Sequence, residues 1–186
     1  MSVSGAQPDL RHLPRFRACV ALGGNLGDVR ASLQGAVAAL RALPATEVEA
    51  VSSLYRTRPV DAGGPDYLNA AAVLQTSLGP QELLRALQAI ELSFERERAF
   101  QNAPRTLDLD LLWHGGLVLH TPTLTLPHPR MHLRAFVLWP LSEALAALGS
   151  LDPALAPALP SSARQAELAR EQGIERLPSE GWADGA

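Results

Sequence analysis

The segment Pro104-Arg105-Thr106-Leu107-Asp108-Leu109-Asp110-Leu111-Leu112 places two aspartates two positions apart in an apolar run. In a β-strand successive side chains alternate faces. Asp108 and Asp110 therefore project to one side, and Leu107, Leu109 and Leu111 to the other, toward a core. Paired carboxylates on a rigid strand suit the binding of hard divalent cations through oxygen. Arg105, just upstream, is a cation that can reach a phosphate. Acid pair, metal and arginine together point to phosphoryl-transfer chemistry. The same alternation also describes a half-buried strand with a solvated outer face. Two features weigh toward a site. Aspartate is disfavoured in strands, and same-face carboxylates repel unless a cation or a hydrogen-bond donor compensates.

Other residues of chemical interest lie on either side of this strand. The stretch Glu95-Arg96-Glu97-Arg98-Ala99-Phe100-Gln101-Asn102-Ala103 leads into it. Arg96, Arg98 and Arg105 can close over a polyphosphate. Alternatively, Glu95 and Glu97 balance these arginines in a solvated loop. His128 stands between Pro127 and Pro129, whose rings restrict the backbone on both sides. That rigidity suits either a structural role or contact with a phosphate or proton. Tyr67, Asn69 and Phe136 can line a flat pocket: two rings sandwich a planar heterocycle and the amide reads its edge. From the residues alone, core aromatics and a surface asparagine are the stronger reading. Gly23-Gly24-Asn25-Leu26-Gly27 lacks the Gly-Lys-Ser/Thr ending of a phosphate loop and reads as a turn that lets backbone approach closely. No Gly-x-Gly-x-x-Gly pattern occurs, which speaks against a dinucleotide cofactor.

The elements that must position these residues follow from periodicity. Arg17 to Gly23 reads as a first strand. Asp28 caps a helix whose apolar positions are Val29, Leu33, Val37 and Leu40, closed by Pro44. Glu47 to Thr57 reads as a second strand and Tyr67 to Ser77 as a third, with a breaker-rich loop from Arg58 to Pro65 between them. Gly79-Pro80 opens a second helix buried along Leu83, Leu84, Leu87, Ile90 and Phe94. The Asp108 strand comes next. This β-α-β-β-α-β order predicts an α+β fold with a ferredoxin-like split βαβ core. Its antiparallel sheet has both helices on one face, leaving the other free for a site. Gly115-Gly116 reads as a hairpin turn, with Leu117 to Leu119 returning as a strand. A further helix is expected from about Pro140. Residues 1–15 read as a flexible leader, 16–149 as the domain, and 150–186 as a partly ordered tail with one amphipathic turn around Arg164 to Arg170.

The chain has 186 residues, 47% of them hydrophobic, enough for one domain with a core. A net charge of −3 argues against nonspecific nucleic-acid binding. Cys19 is the single cysteine, which excludes an intrachain disulfide and fits a reducing cytoplasm. No run reaches the roughly 18 apolar residues of a membrane span. No apolar dimer patch is legible, so a monomer is expected.

Taken in order, five motifs resemble one family. They are Ala21-Leu22-Gly23-Gly24-Asn25-Leu26-Gly27, Ser52-Ser53-Leu54-Tyr55-Arg56-Thr57, Pro65-Asp66-Tyr67-Leu68-Asn69-Ala70-Ala71, Pro104 to Asp110, and Leu126-Pro127-His128 through Arg134-Ala135-Phe136-Val137-Leu138-Trp139-Pro140-Leu141. The set resembles the 6-hydroxymethyl-7,8-dihydropterin pyrophosphokinases of folate biosynthesis, from about residue 17 to 148. The resemblance implies transfer of pyrophosphate from ATP to the pterin hydroxymethyl group, with release of AMP. It implies two Mg²⁺ ions held by Asp108 and Asp110. Arg96, Arg98 and Arg105 match arginines of a catalytic loop, and Arg96, Arg105 and His128 match contacts to ATP. Tyr67 and Phe136 match an aromatic pair around the pterin, and Asn69 an asparagine on its edge. Thr57, Pro59, Val60 and Arg134 match the same side of the site. Asn102-Ala103 departs from a frequent Trp-Gly, Arg58 from a common proline, Thr123 from an arginine of some members, and Pro129 from a frequent aromatic. Two other readings stay open beside it: a different two-metal phosphate enzyme, and a ferredoxin-like binding module without catalysis.

Overall fold

A computed structural model describes residues 14–59, 64–94, 106–149, 153–155, 158–178 and 181–184. The chain begins with β1 (Phe16–Gly24), α1 (Val29–Arg41), β2 (Thr46–Val51), β3 (Tyr55–Thr57), β4 (Tyr67–Thr76), α2 (Pro80–Phe94) and β5 (Asp108–His114). Then come β6 (Leu119–His120), β7 (Thr125–Leu126), α3 (Ala135–Ala147), α4 (Ser162–Gln172) and β8 (Glu175–Arg176). The main sheet has the order β5-β1-β4-β3-β8, with β2 also paired to β4, and its pairings are antiparallel.

Local signals set the helix starts. The Asp28 carboxylate accepts from the backbone N–H of Ala31 at 3.0 Å, satisfying one of the unpaired donors of the first turn of α1. Pro80 begins α2, and Glu82 reaches back to the N–H of Gly79 at 2.8 Å. Both helices lie on one face of the sheet. There Leu33, Val37, Leu40, Leu83 and Leu87 bury against Val20, Leu22, Leu74, Leu107, Leu109 and Leu111. The leucines flanking the two aspartates thus enter the core as alternation predicts.

The opposite face is not left free. Val137, Leu141, Ala144 and Leu145 of α3 pack on Cys19, Ala71, Val73, Leu112 and Trp113, covering one end of it. A register shift between Cys19 and Val20 makes this possible. Cys19 pairs with Trp113 and Val20 with Leu111, so Leu112 is the extra residue of a bulge. Leu112 and Trp113 consequently both join the α3 side.

Four further expectations need correction. The second strand is interrupted at Ser52-Ser53-Leu54, where the Ser52 hydroxyl accepts from the N–H of Ala71 at 3.0 Å in place of a ladder carbonyl. The strand after Gly115-Gly116 does not return along β5. Leu119 and His120 pair with Leu126 and Thr125 in a separate two-stranded sheet. The helix expected from Pro140 starts five residues earlier, at Ala135, with Pro140 inside it. The turn expected near Arg164 is an 11-residue helix, α4, and the chain beyond it joins the main sheet through β8. Trp182 is buried, its indole N–H donating to the carbonyl of Ser52 at 2.8 Å.

Candidate active site

The end of the sheet face that α3 leaves uncovered carries a cleft of about 470 Å³. Register explains its floor. Asp108, Gly23, Asn69 and Tyr55 stand side by side across β5, β1, β4 and β3. In the next row Asp110, Ala21 and Ala71 are neighbours. The small residues of β1 therefore form a trough between the carboxylates and the asparagine. A side chain at Gly23 would lie 3.2 Å from Oδ1 of Asn69 and fill that trough. Gly24 has a different function. A Cβ there would meet the carbonyl oxygen of Thr106 at 2.6 Å, so glycine alone lets the approach to β5 pass so close.

The edge strand β5 is held from two sides. A carboxylate oxygen of Glu91, on α2, accepts from the N–H of Leu109 at 2.7 Å, between the two aspartates. The N–H of His128 donates to the carbonyl of Leu112 at 2.8 Å, which seats the histidine beside the acid pair. Its Nδ1 accepts from the N–H of Arg130 at 3.3 Å, leaving Nε2 to carry the proton of the neutral ring. Burial lowers the pKa of His128. Asp110 opposes that shift, and Arg134 and Arg130 add to it.

Arg134 joins the acidic and aromatic parts of the cleft. Its guanidinium is 3.8 Å from Asp110 and lies 5.5 Å from the centre of the Phe136 ring. Burial lowers its pKa, Arg130 acts in the same sense, and Asp110 and Asp108 oppose. On the far wall Asn69 donates to the hydroxyl of Thr57 at 3.0 Å, both residues buried. This bond fixes the amide orientation, leaving the Asn69 carbonyl and its second N–H for another partner.

Of the residues singled out in the sequence, Thr57, Tyr67, Asn69, Asp108, Asp110, His128, Arg134 and Phe136 line this one cleft. Pro59 is described but does not line it. Arg96, Arg98, Arg105 and Val60 lie outside the described residues. The sequence reading missed Arg130 and Gln172 as lining residues, and it treated Arg58 only as a departure from a pattern. Arg130 was detectable as a cation two positions from His128. Gln172 is 36 residues beyond Phe136, and nothing in the sequence connects the two.

The donor set can be tested against a divalent cation. Among the described residues, no group of three or more His, Cys, Asp and Glu forms a metal cage. Two same-face carboxylates beside a trough lined by glycine and alanine fit Mg²⁺, which is held by one or two carboxylates and completed by water and substrate phosphate.

An acid pair on an edge strand is thus faced by arginines and by an amide–aromatic wall. The chain belongs to the 7,8-dihydro-6-hydroxymethylpterin-pyrophosphokinase (HPPK) family, whose pattern it matches over residues 19–146. It is 50% identical over 126 residues to a 2-amino-4-hydroxy-6-hydroxymethyldihydropteridine pyrophosphokinase of Synechocystis sp., covering 68% of this chain and 65% of that one. To the protein of the same name from Pseudomonas aeruginosa it is 45% identical over 166 residues, 87% of this chain and 97% of that one. The Bacillus subtilis protein of that name is 46% identical over 129 residues, 68% of this chain and 76% of the relative. Among solved structures, Plasmodium falciparum HPPK-DHPS superposes with a TM-score of 0.57 at 13% identity, over 69% of this chain and 40% of that chain. An HPPK-DHPS in complex with substrates gives 0.59 at 12% identity, over 88% of this chain and 46% of that chain. At these identities the structural matches establish shared fold alone.

Proposed function

We propose that the protein transfers the pyrophosphoryl group of ATP to the hydroxymethyl group of 6-hydroxymethyl-7,8-dihydropterin, giving the pterin diphosphate and AMP in folate biosynthesis. One observation carries this reading: Asp108 and Asp110 share a single cleft with Asn69, Tyr67 and Phe136, in a chain of the HPPK family. The pterin lies between Tyr67 and Phe136, with Asn69 on its edge and Thr57 beside it. Its hydroxyl oxygen gives up its proton, which is released to solvent with the products, and forms a bond to the β-phosphorus as the bond from that phosphorus to the AMP oxygen breaks. Arg134 keeps Phe136 in place and offsets the charge of Asp110 before nucleotide binds. His128 donates from Nε2 to a phosphate oxygen, the nitrogen left as donor while Nδ1 accepts from the N–H of Arg130. Arg96, Arg98 and Arg105 close over the polyphosphate and exclude water. Asp108 and Asp110 hold two Mg²⁺ ions, whose chemistry when bound is to neutralise phosphate charge and polarise the phosphoryl oxygens.

The strand order β5-β1-β4-β3, with α1 and α2 on one face, supports assignment to the ferredoxin-like split βαβ class. The reading includes a monomer in the cytoplasm. A single buried cysteine is consistent with that compartment. Among the described residues no helix is long and apolar enough to cross a membrane.

The test is to combine the protein with ATP, Mg²⁺ and the hydroxymethyl dihydropterin. AMP and pterin diphosphate are expected in equal amounts, only when all components are present. Binding of the pterin without release of AMP would replace this reading with that of a non-catalytic module.

A further inference from the structure

We infer that Gln172, at the end of α4, is a positioning residue of the cleft, holding Arg134 and Phe136 in the pose that receives the planar substrate. This inference rests on the proposed function. Arg134 is the N-cap residue of α3 and its side chain makes no capping bond. The N–H of Ala135 is therefore a first-turn donor in need of a partner. Oε1 of Gln172 accepts from it at 2.8 Å, and Nε2 of the same amide donates to the carbonyl of Leu133 at 2.8 Å. One side chain thus brackets Arg134 from both sides, across 37 and 39 residues of sequence. Arg134 is the residue that contacts Asp110 and lies over Phe136.

The bracket is itself firmly placed. Leu168 of α4 buries against Ala135 and Leu138 of α3. The helix ends at Gln172 and is capped by Gly173, whose φ of 64° is one that glycine adopts without cost. From there the chain turns back into β8, paired with the strand that carries Thr57. Gln172 also lines the cleft. The segment after residue 150 therefore supplies part of the wall of a site whose chemistry lies in the preceding domain.

The experiment compares Gln172→Leu, which removes both hydrogen bonds at similar volume, with Gln165→Leu. Gln165 also ties α4 to the molecule, through Ser142 and Pro160, but it is outside the cleft lining. For Gln172→Leu we expect KM for the pterin to rise about tenfold, with KM for ATP and kcat within about twofold of wild type. Gln172→Glu retains the acceptor for Ala135 and should recover part of the loss. Gln165→Leu should lower the melting temperature and leave KM unchanged. In parallel, hydrogen exchange of the Ala135 amide should accelerate in Gln172→Leu and not in Gln165→Leu. An unchanged pterin KM, or an equal rise in both leucine variants, overturns the inference. If wild type releases no AMP, the proposed function fails. The exchange readout then decides alone, and an unchanged Ala135 amide in Gln172→Leu overturns the positioning role.

Discussion

The two ends of one sheet face have opposite characters, although the same three strands build both. At one end Trp113, Cys19 and Val73 lie in register under α3 and are fully removed from water. At the other, Asp108, Gly23 and Asn69 occupy equivalent positions and border an open cleft. Between them β1 changes from a buried cysteine to alanine and glycine, and β5 from tryptophan to aspartate. Where the strands carry Cys19, Val73, Leu112 and Trp113, α3 packs and the gain is stability. Where β1 reaches Gly23 and Gly24 it carries no side chain, and the face opens into the cleft. One sheet face thus divides its residues between holding the fold together and leaving room.

This division predicts separable effects. On the proposed function, in which Asp110 is a metal ligand, Asp110→Ala should reduce turnover by about a thousandfold, while the far-ultraviolet spectrum and melting temperature stay near wild type. Turnover at the wild-type rate would remove the acid pair from the chemistry. At the packed end, Trp113→Ala should cost about 3–5 kcal/mol in urea unfolding, because the void beneath α3 collapses only partly. Molecules that remain folded should keep their substrate KM. Gly24→Ala lies at the cleft end of β1 and tests whether the approach to β5 is coupled to the acid pair. Its methyl group would meet the Thr106 carbonyl at 2.6 Å, so we expect a loss of about 1–3 kcal/mol. A drop in kcat should accompany it as the start of β5 shifts. Loss of stability with intact kcat would show that the strain is absorbed before β5 and leaves the acid pair in place.

The smallest effect concerns pH at the packed end. Burial works to raise the pKa of Glu143 on α3. Hydrogen bonds from Arg176, Ser53 and Tyr55 outweigh it, and the carboxyl titrates below its usual 4.5. A group with a depressed folded pKa stabilises the fold above its unfolded value and loses that contribution as pH falls through the folded one. The difference in urea midpoint between wild type and Glu143→Gln should therefore be largest near neutral pH and shrink as pH falls below 4.5. A constant difference would assign the effect to hydrogen-bond geometry and not to charge.

Local sequence signals were legible where one rule decided the outcome. Alternation put Asp108 and Asp110 on one face and their leucines in the core. Asp28 and Pro80 marked helix starts because capping and a missing N–H are properties of single positions. The start of α3 was misread for a physical reason. All its residues but Ser142 and Glu143 are apolar because it is sandwiched between the sheet and α4, so no amphipathic stripe marks its length. Pro140 then resembled a first-turn residue. The interruption at Ser52 was hidden because a hydroxyl replaces a ladder carbonyl without altering strand propensity. Gln172 was invisible because its partners are backbone atoms, which carry no signature in the sequence. Arg96, Arg98 and Arg105 lie outside the described residues, and their part in the site stands as a proposal.

Strand β8 has a consequence for how copies of this molecule behave at high concentration. It is two residues long, and it covers the edge that Tyr55 and Arg56 would otherwise present. Its Glu175 is ion-paired to Arg56 at 2.6 Å, so the outermost rung is charged. Short, charged edge strands resist templated pairing with another chain. A protein shortened before Glu175 would keep its aspartates and its helices and still be a poorer solution particle. The bared backbone of β3 would be an invitation to intermolecular sheet growth, turning a question of catalysis into one of colloidal stability.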